Sequence, residues 1–333
     1  MTALTALTVY EIGAAWESAI AEPQRRNYGS HYTPSWLAQR IVEITLQAVV
    51  YHGVADGCPM GSATLKSAAE IQALRVVDLC CGAGVFLFTA THYLALKLCE
   101  AWALEQGVDA AGWRLLPLVP NVVTPIEVTA PESQAWLDQN LPVAILAVLK
   151  HCVRGVDLDN NVVTLTQILF WLQSHCDKEM LTLAREHIIS EDALQDEWTA
   201  DMLDVFDAGG FDAVIGNPPY LGGHKITGVW GRDYREELVS RLAKGKRGSA
   251  DICAYFLLQS HRVLKEGGVL GIVATNTICQ GDTREVGLDQ LLADGSSLYH
   301  WNPSMPWPGK AAVHVALLHL YKGEWNGPKW QER

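Results

Sequence analysis

Between residues 75 and 275 the chain repeats one pattern: a short β-branched or apolar run, a turn, then a helical stretch. The runs are RVVDL (75–79), VRGVDL (153–158), HIISED (187–192), FDAVIGN (211–217) and GVLGIVAT (268–275). Runs this short and apolar belong to strands buried on both faces, and the helical stretches between them supply the crossovers that parallel strands require. The pattern predicts an α/β fold with a doubly wound, mainly parallel sheet. A further pair near 297–301 and 311–321 is expected to complete its edge. Residues 1–70 read as a mostly helical segment, with helices near 8–20 and 34–51, and GVADGCPMGSA (53–63) as a loop. The second helix is expected to open on Thr33 as N-cap with Pro34 at its first position. The stretch 100–130, rich in Trp, Pro and Val without periodicity, reads as an insertion.

Several classes of protein are disfavoured. Glu11, Glu17 and Glu22 interrupt any N-terminal apolar stretch, and the longest apolar run, LPVAILAVL (141–149), is too short to span a bilayer. Eight cysteines are scattered with no CxxC pair, which suits reduced thiols in the cytoplasm better than disulfides or a zinc site, so no metal is expected. A net charge of −12 disfavours strong binding to phosphate backbones.

Polar residues gather where the runs end. DLCCGAGVFL (78–87) follows the first strand and opens a long apolar helix. Gly82 and Gly84 allow a tight turn and close backbone approach, and an acid at the head of the loop suits an ammonium group rather than a pyrophosphate. An ordinary strand-to-helix turn has the same look. Asp157 ends the second strand, where a carboxylate commonly accepts from ribose hydroxyls, while Asp159 reads as a helix N-cap. Asp192 ends the third, placed either to accept from an adenine amino group or to sit solvated in a loop. Asn217-Pro218-Pro219-Tyr220 ends the fourth. Two prolines stop any sheet ladder, and chance supplies this tetrapeptide in roughly one such chain in a thousand. Its chemistry is specific. The Asn217 oxygen and Pro218 carbonyl can each accept from an amino group conjugated to a ring, drawing its nitrogen towards a pyramidal, nucleophilic geometry. The prolines preorganise both acceptors, and Tyr220 offers a flat face to a planar substrate.

Together these residues resemble the class I S-adenosylmethionine-dependent methyltransferases, and more narrowly the gamma-type DNA adenine-N6 methyltransferases of restriction and phage-defence systems. The resemblance covers about residues 25–322. RRNYGSHYTPSWLA (25–38) is similar to the family's N-terminal motif, which implies that Tyr32, Thr33 and Pro34 contact the methionine part of the cofactor. The glycine loop implies cofactor roles for Asp78, Gly82, Gly84 and Phe86. Asp157 matches the ribose-binding acid, Asp192 the adenine-amino contact, and Phe256 in ADICAYFLL (250–258) the ring that packs on the cofactor adenine. NPPY matches the catalytic motif, with Tyr220 stacked on the target base. Trp307 in SMPWPGKAAVHVALLHLYKG (304–323) stands where the family has a second aromatic beside it. VATNTICQGDTREVGLDQ with the WPG segment is most similar to the large methyltransferases of BREX- and DISARM-like defence islands.

The resemblance implies a Rossmann-like methyltransferase domain over 71–323, with 1–70 carrying the YTP motif and 324–333 a tail. It implies methyl transfer from S-adenosylmethionine to adenine N6 in DNA, with no metal, in a bacterial cytoplasm. NPPY is shared with protein-glutamine N5 and RNA guanine-N2 methyltransferases; the YTP segment before the glycine loop and the late WPG segment favour the DNA enzymes. A non-catalytic nucleic-acid-binding subunit is a further alternative, against which an intact NPPY and three intact acids argue. The family's C-terminal target-recognition domain is not found here. Residues 222–250 hold seven basic residues (Lys225, Arg232, Arg235, Arg241, Lys244, Lys246, Arg247) against three acids, enough for local backbone contact. The chain alone is therefore expected to bind DNA weakly, recognition coming from a missing segment or a partner subunit.

Overall fold

The computed structural model describes residues 11–13, 15–16, 33–108, 110, 113–115, 126–127, 131–174, 176–308 and 313–332. Its centre is an eight-stranded sheet. The strands are β1 (Val76–Asp78), β2 (Val153–Asp157), β3 (Ile188–Ser190), β4 (Phe211–Gly216), β5 (Leu264–Thr275), β6 (Ser297–Pro306), β7 (His314–Tyr321) and β8 (Trp330–Gln331). They lie in the order β8-β6-β7-β5-β4-β1-β2-β3. Strands β1 to β5 are mutually parallel, and β7 runs antiparallel to both β5 and β6. This is the doubly wound 3-2-1-4-5 order, with its reversal point between β1 and β4.

The period of two along each strand divides the core. Ala213, Ile215, Val269, Val273, Val315 and Leu317 face one side, and Val214, Leu270, Ile272, Ala316 and Leu318 face the other. On the first side lie helices α1 (Ser35–Val50), α2 (Val85–Gln106), α3 (Pro131–His151), α4 (Asn160–Gln173) and α5 (Lys178–His187). After α6 (Gly223–Arg241), which breaks at Gly231 where φ is 88°, α7 (Ile252–Val263) covers the second side. Leu37, Ile41, Val42, Leu46 and Val49 make the buried stripe of α1. That helix lies tight on β5: a Cβ at Gly271 would stand 1.8 Å from the Thr45 hydroxyl.

Four expectations change. The N-cap position of α1 is Pro34, whose ring has no polar atom to cap with, and the Thr33 hydroxyl instead accepts from Asn217 across the fold. The edge is not the pair β6 and β7. Residues 330–331 add a parallel strand outside β6, so the tail is part of the fold, with Trp325 buried and stacked on Tyr299 at 4.3 Å. Residues 100–106 belong to α2 rather than to an insertion. In the rest of that stretch, Arg114–Leu115 pairs with Ile126–Glu127. Helix α3 was not foreseen, since its 21 residues include Pro142 and show little periodicity. In the expected helix at 8–20, residues 11–13 and 15–16 are helical and the rest lie outside the described residues.

Candidate active site

The strand-end residues meet at the carboxyl edge of β1, β2, β3 and β4. Gly82 and Gly84 have φ of 51° and 86°, a left-handed turn that throws the chain from β1 into α2. A Cβ at Gly84 would stand 2.6 Å from the Phe88 ring, so helix and loop close tightly. The loop is tied to β2 by Asp157, whose Oδ2 accepts from the Gly82 amide at 2.9 Å and whose Oδ1 accepts from the Asp159 amide at 3.0 Å. Burial raises the Asp157 pKa, and those two amides oppose the rise. Asp159 caps α4 through the Asn161 amide at 2.9 Å, as read from the sequence.

Asp78 is wholly buried at the end of β1. Its Oδ1 accepts from the Cys80 amide at 3.0 Å, while Oδ2 is buried with no hydrogen-bond partner among the described residues. Burial, with the nearby Asp157 adding to it, pushes its pKa up to about 7. A buried carboxylate with one orphaned oxygen fits an ammonium group above the loop, which is the donor S-adenosylmethionine carries. Gly216, not singled out from the sequence, is what lets Asp78 sit there: a Cβ on it would stand 2.5 Å from Asp78 Oδ1.

Asp192 is more engaged than its sequence position suggested. Oδ1 accepts from the Leu194 amide at 2.9 Å and Oδ2 from the Tyr234 hydroxyl of α6 at 2.8 Å. Tyr234 was missed, since α6 starts after the NPPY segment and breaks at Gly231, so no local periodicity ties it to Asp192. Phe256 is buried and, with Leu79, Cys80, Gly216, Pro218 and Ser260, lines a narrow cleft between β1, β4 and α7. Phe86, by contrast, is 2% exposed and packs in the core under α2, so its ring supports the loop from beneath. Tyr32 lies outside the described residues.

The NPPY segment leaves β4 and is held at both ends. Asn217 Nδ2 donates to Thr33 Oγ1 at 3.0 Å, and the Tyr220 hydroxyl donates to Asn217 Oδ1. After it, the Leu221 amide donates to Asp251 Oδ1 at 3.2 Å, and Leu221 O accepts from the Ile252 amide at 2.9 Å. Asp251 also caps α7 through the Cys253 amide at 3.1 Å. This staple was not assigned from the sequence, although Asp251 stands in ADICAYFLL. The Tyr220 and Trp307 rings meet edge to face, with centroids 6.3 Å apart and planes at 89°.

The basic segment is partly neutralised. Arg241 pairs with Asp196 at 2.7 Å, Lys244 with Asp294 at 2.6 Å and Arg247 with Glu236 at 2.6 Å, while Arg235 donates to the Gly248 carbonyl. Among the described residues Lys225, Arg232 and Lys246 form no ion pair and are exposed. Among the described residues, too, no group of three or more His, Cys, Asp or Glu could hold a metal ion, and no helix is long and apolar enough to cross a membrane.

Sheet order and strand-end site define the class I S-adenosylmethionine-dependent methyltransferase fold, and solved structures agree. The type IIL restriction-modification enzyme MmeI, solved with DNA, matches with a TM-score of 0.63 at 18% identity, over 97% of this chain and 41% of that one. A class I S-adenosylmethionine-dependent methyltransferase structure from Listeria monocytogenes matches with a TM-score of 0.50 at 13% identity, over 99% of this chain and 72% of that one. Residues 151–300 match the Eco57I restriction-modification methylase family, in agreement with the restriction-type methyltransferase resemblance drawn from the motifs in that stretch. Among curated proteins, DNA methyltransferase A of Bacillus subtilis (strain 168) is 20% identical over 323 residues, 92% of this chain and 32% of that protein. The chain thus spans about a third of the curated relative and about two-fifths of MmeI.

Proposed function

We propose that this chain is the methyltransferase unit of a restriction-modification or phage-defence enzyme, acting on the N6 amino group of adenine in DNA. The observation that carries the reading is the Asn217 carboxamide, fixed at the end of β4 between Thr33 and Tyr220. Asp78, the glycine loop, Asp157, Asp192 and Phe256 would hold S-adenosylmethionine, Asp78 taking its ammonium group. When bound, the cofactor would supply a methyl group on a sulfonium, an electrophile that needs no metal, and would leave as neutral S-adenosylhomocysteine, the methylated amine giving up one N–H proton to water.

The chain's own residues do the rest. Asn217 Oδ1 and the Pro218 carbonyl accept the two N–H bonds of the target amine, so its lone pair turns from the ring towards the methyl group. Pro218 and Pro219 fix the backbone that carries both acceptors, so little backbone reorganisation is needed at the moment of transfer. The target adenine must leave the duplex stack to reach this depth, and Tyr220 with Trp307 at right angles forms an aromatic corner to receive it. Lys225, Arg232 and Lys246 offer sequence-independent phosphate contacts only, so the unit alone is expected to bind duplex weakly and with little sequence preference.

The test is a labelled-methyl transfer assay offering DNA, RNA and release-factor protein side by side, followed by nucleoside analysis. N6-methyladenine formed in DNA supports the reading. Label in protein or in guanine of RNA moves the chain to one of those classes, and no label in any acceptor despite measurable cofactor binding supports a non-catalytic subunit.

A further inference from the structure

Asn217 can serve an incoming amine only if its oxygen, and not its own amino group, faces the mouth. A carboxamide turned by half a rotation about its last bond would set two donors against each other. The two prolines fix the backbone of the segment but not the rotation of the Asn217 amide about its last bond. The hydrogen bonds around the amide do. Its Nδ2 donates to Thr33 Oγ1 at 3.0 Å, and its Oδ1 accepts from the Tyr220 hydroxyl. A phenol is the more acidic hydroxyl and the better donor, and an aliphatic hydroxyl is the better acceptor, so this pairing matches each partner to its stronger role.

Of the two, only Thr33 can keep that role during the reaction. The Tyr220 hydroxyl occupies the very oxygen the target amine needs, so it must yield when the base arrives. Thr33 holds the opposite end of the amide and can stay. It is also well anchored: it is 3% exposed and directly precedes α1, whose Thr45 stands against Gly271 of β5 with no room between them. Helix α1 thus carries a fixed acceptor from residue 33 to residue 217.

We propose that Thr33 is a positioning residue for methyl transfer, holding the Asn217 carboxamide in the orientation that presents Oδ1 to the target amine, with the Tyr220 hydroxyl as a placeholder on that oxygen until the base enters. This rests on the reading of Asn217 as the amine acceptor, and it gives Thr33 a role on the target side, distinct from the cofactor contact the family resemblance implies. In Thr33→Val the shape is kept and the Thr33 hydroxyl is lost as an acceptor for Nδ2. The amide then gains by rotating Nδ2 towards the Tyr220 oxygen, which turns the wrong group to the mouth.

Two measurements on the full chain test this. In protein labelled with 15N-asparagine, the Asn217 side-chain signal, assigned by its loss in Asn217→Ala, should shift and exchange faster with solvent in Thr33→Val and return in Thr33→Ser. In the transfer assay Thr33→Val should lower kcat by about 100-fold, the scale of a misplaced reacting group, with the Kd for S-adenosylmethionine held within about twofold and Thr33→Ser recovering most of the rate. An Asn217 signal unchanged in Thr33→Val overturns the proposal whatever the kinetics. A raised cofactor Kd with kcat intact at saturation also overturns it, making Thr33 a cofactor contact. A wild-type chain that binds cofactor but methylates no DNA defeats the proposed function instead, while the amide signal still reports on Thr33.

Discussion

Replacing Asp78 by Asn should stabilise the free protein and weaken its hold on the cofactor, and the first effect has a pH signature. The carboxyl has its pKa pushed from 3.8 to about 7, chiefly by burial. At about pH 8 keeping it ionised costs about 4 kcal/mol relative to the unfolded chain, at 1.36 kcal/mol per pKa unit. Asn keeps the shape and the Cys80 amide bond, but leaves a buried NH2 in place of the orphaned oxygen, which costs about 1–3 kcal/mol. The net gain at about pH 8 is therefore about 1–3 kcal/mol. Between the ordinary carboxylate pKa and about 7, the folded wild type holds more protons than the unfolded chain, so its stability falls as pH rises through that window. The variant lacks this term, so its advantage should grow by about 2 kcal/mol between about pH 5.5 and about pH 8. Urea melts of both proteins at the two pH values measure the difference, because titrating groups not coupled to Asp78 cancel and the coupled Asp157 is present in both. An advantage that does not change with pH, or that shrinks as pH rises, would show that Asp78 is not ionised under strain. Calorimetry on the same variant should show S-adenosylmethionine binding about 10- to 100-fold weaker, the worth of one charge-assisted hydrogen bond.

Three further outcomes are expected. Asn217→Ala should leave cofactor affinity intact while transfer falls by orders of magnitude, since the lost contact matters mostly in the transition state; near wild-type turnover would refute the amine-acceptor role. Asp157→Ala should weaken S-adenosylmethionine by a few kcal/mol at most and also loosen the Gly82 loop it ties down, and unchanged affinity in a folded variant would remove Asp157 from the site. Gly271→Ala should cost about 3 kcal/mol or more in a denaturant melt, because the new methyl group meets Thr45 and must push α1 off the sheet; a loss below about 1 kcal/mol would mean that the helix yields easily.

The strands were legible because burial on both faces leaves a strong local mark, continuous apolar runs in which alternate residues serve opposite helical layers. The glycine loop, Asp157 and NPPY were legible for a related reason: a strand that must stop and present polar atoms needs residue types that a continuing buried strand disfavours. Those features specify where chemistry can occur. They do not specify which hydrogen bond each polar atom makes. Thr33 looked like a helix cap, and the tertiary fold spends its hydroxyl on a residue 184 positions away. Asp192 looked open and is met by Tyr234 from beyond a kink at Gly231. Residues 324–332 looked like a tail, and two of them form the sheet's outer strand because β6 still had an unpaired edge to satisfy. Sequence alone thus determined the layers, the order of the strand-end acids and the abrupt end of β4 at Asn217-Pro218-Pro219-Tyr220, all set by the local needs of burial and turn geometry. Only the tertiary structure decided the partners, because a hydrogen bond depends on distance and angle between groups that the chain itself does not hold close.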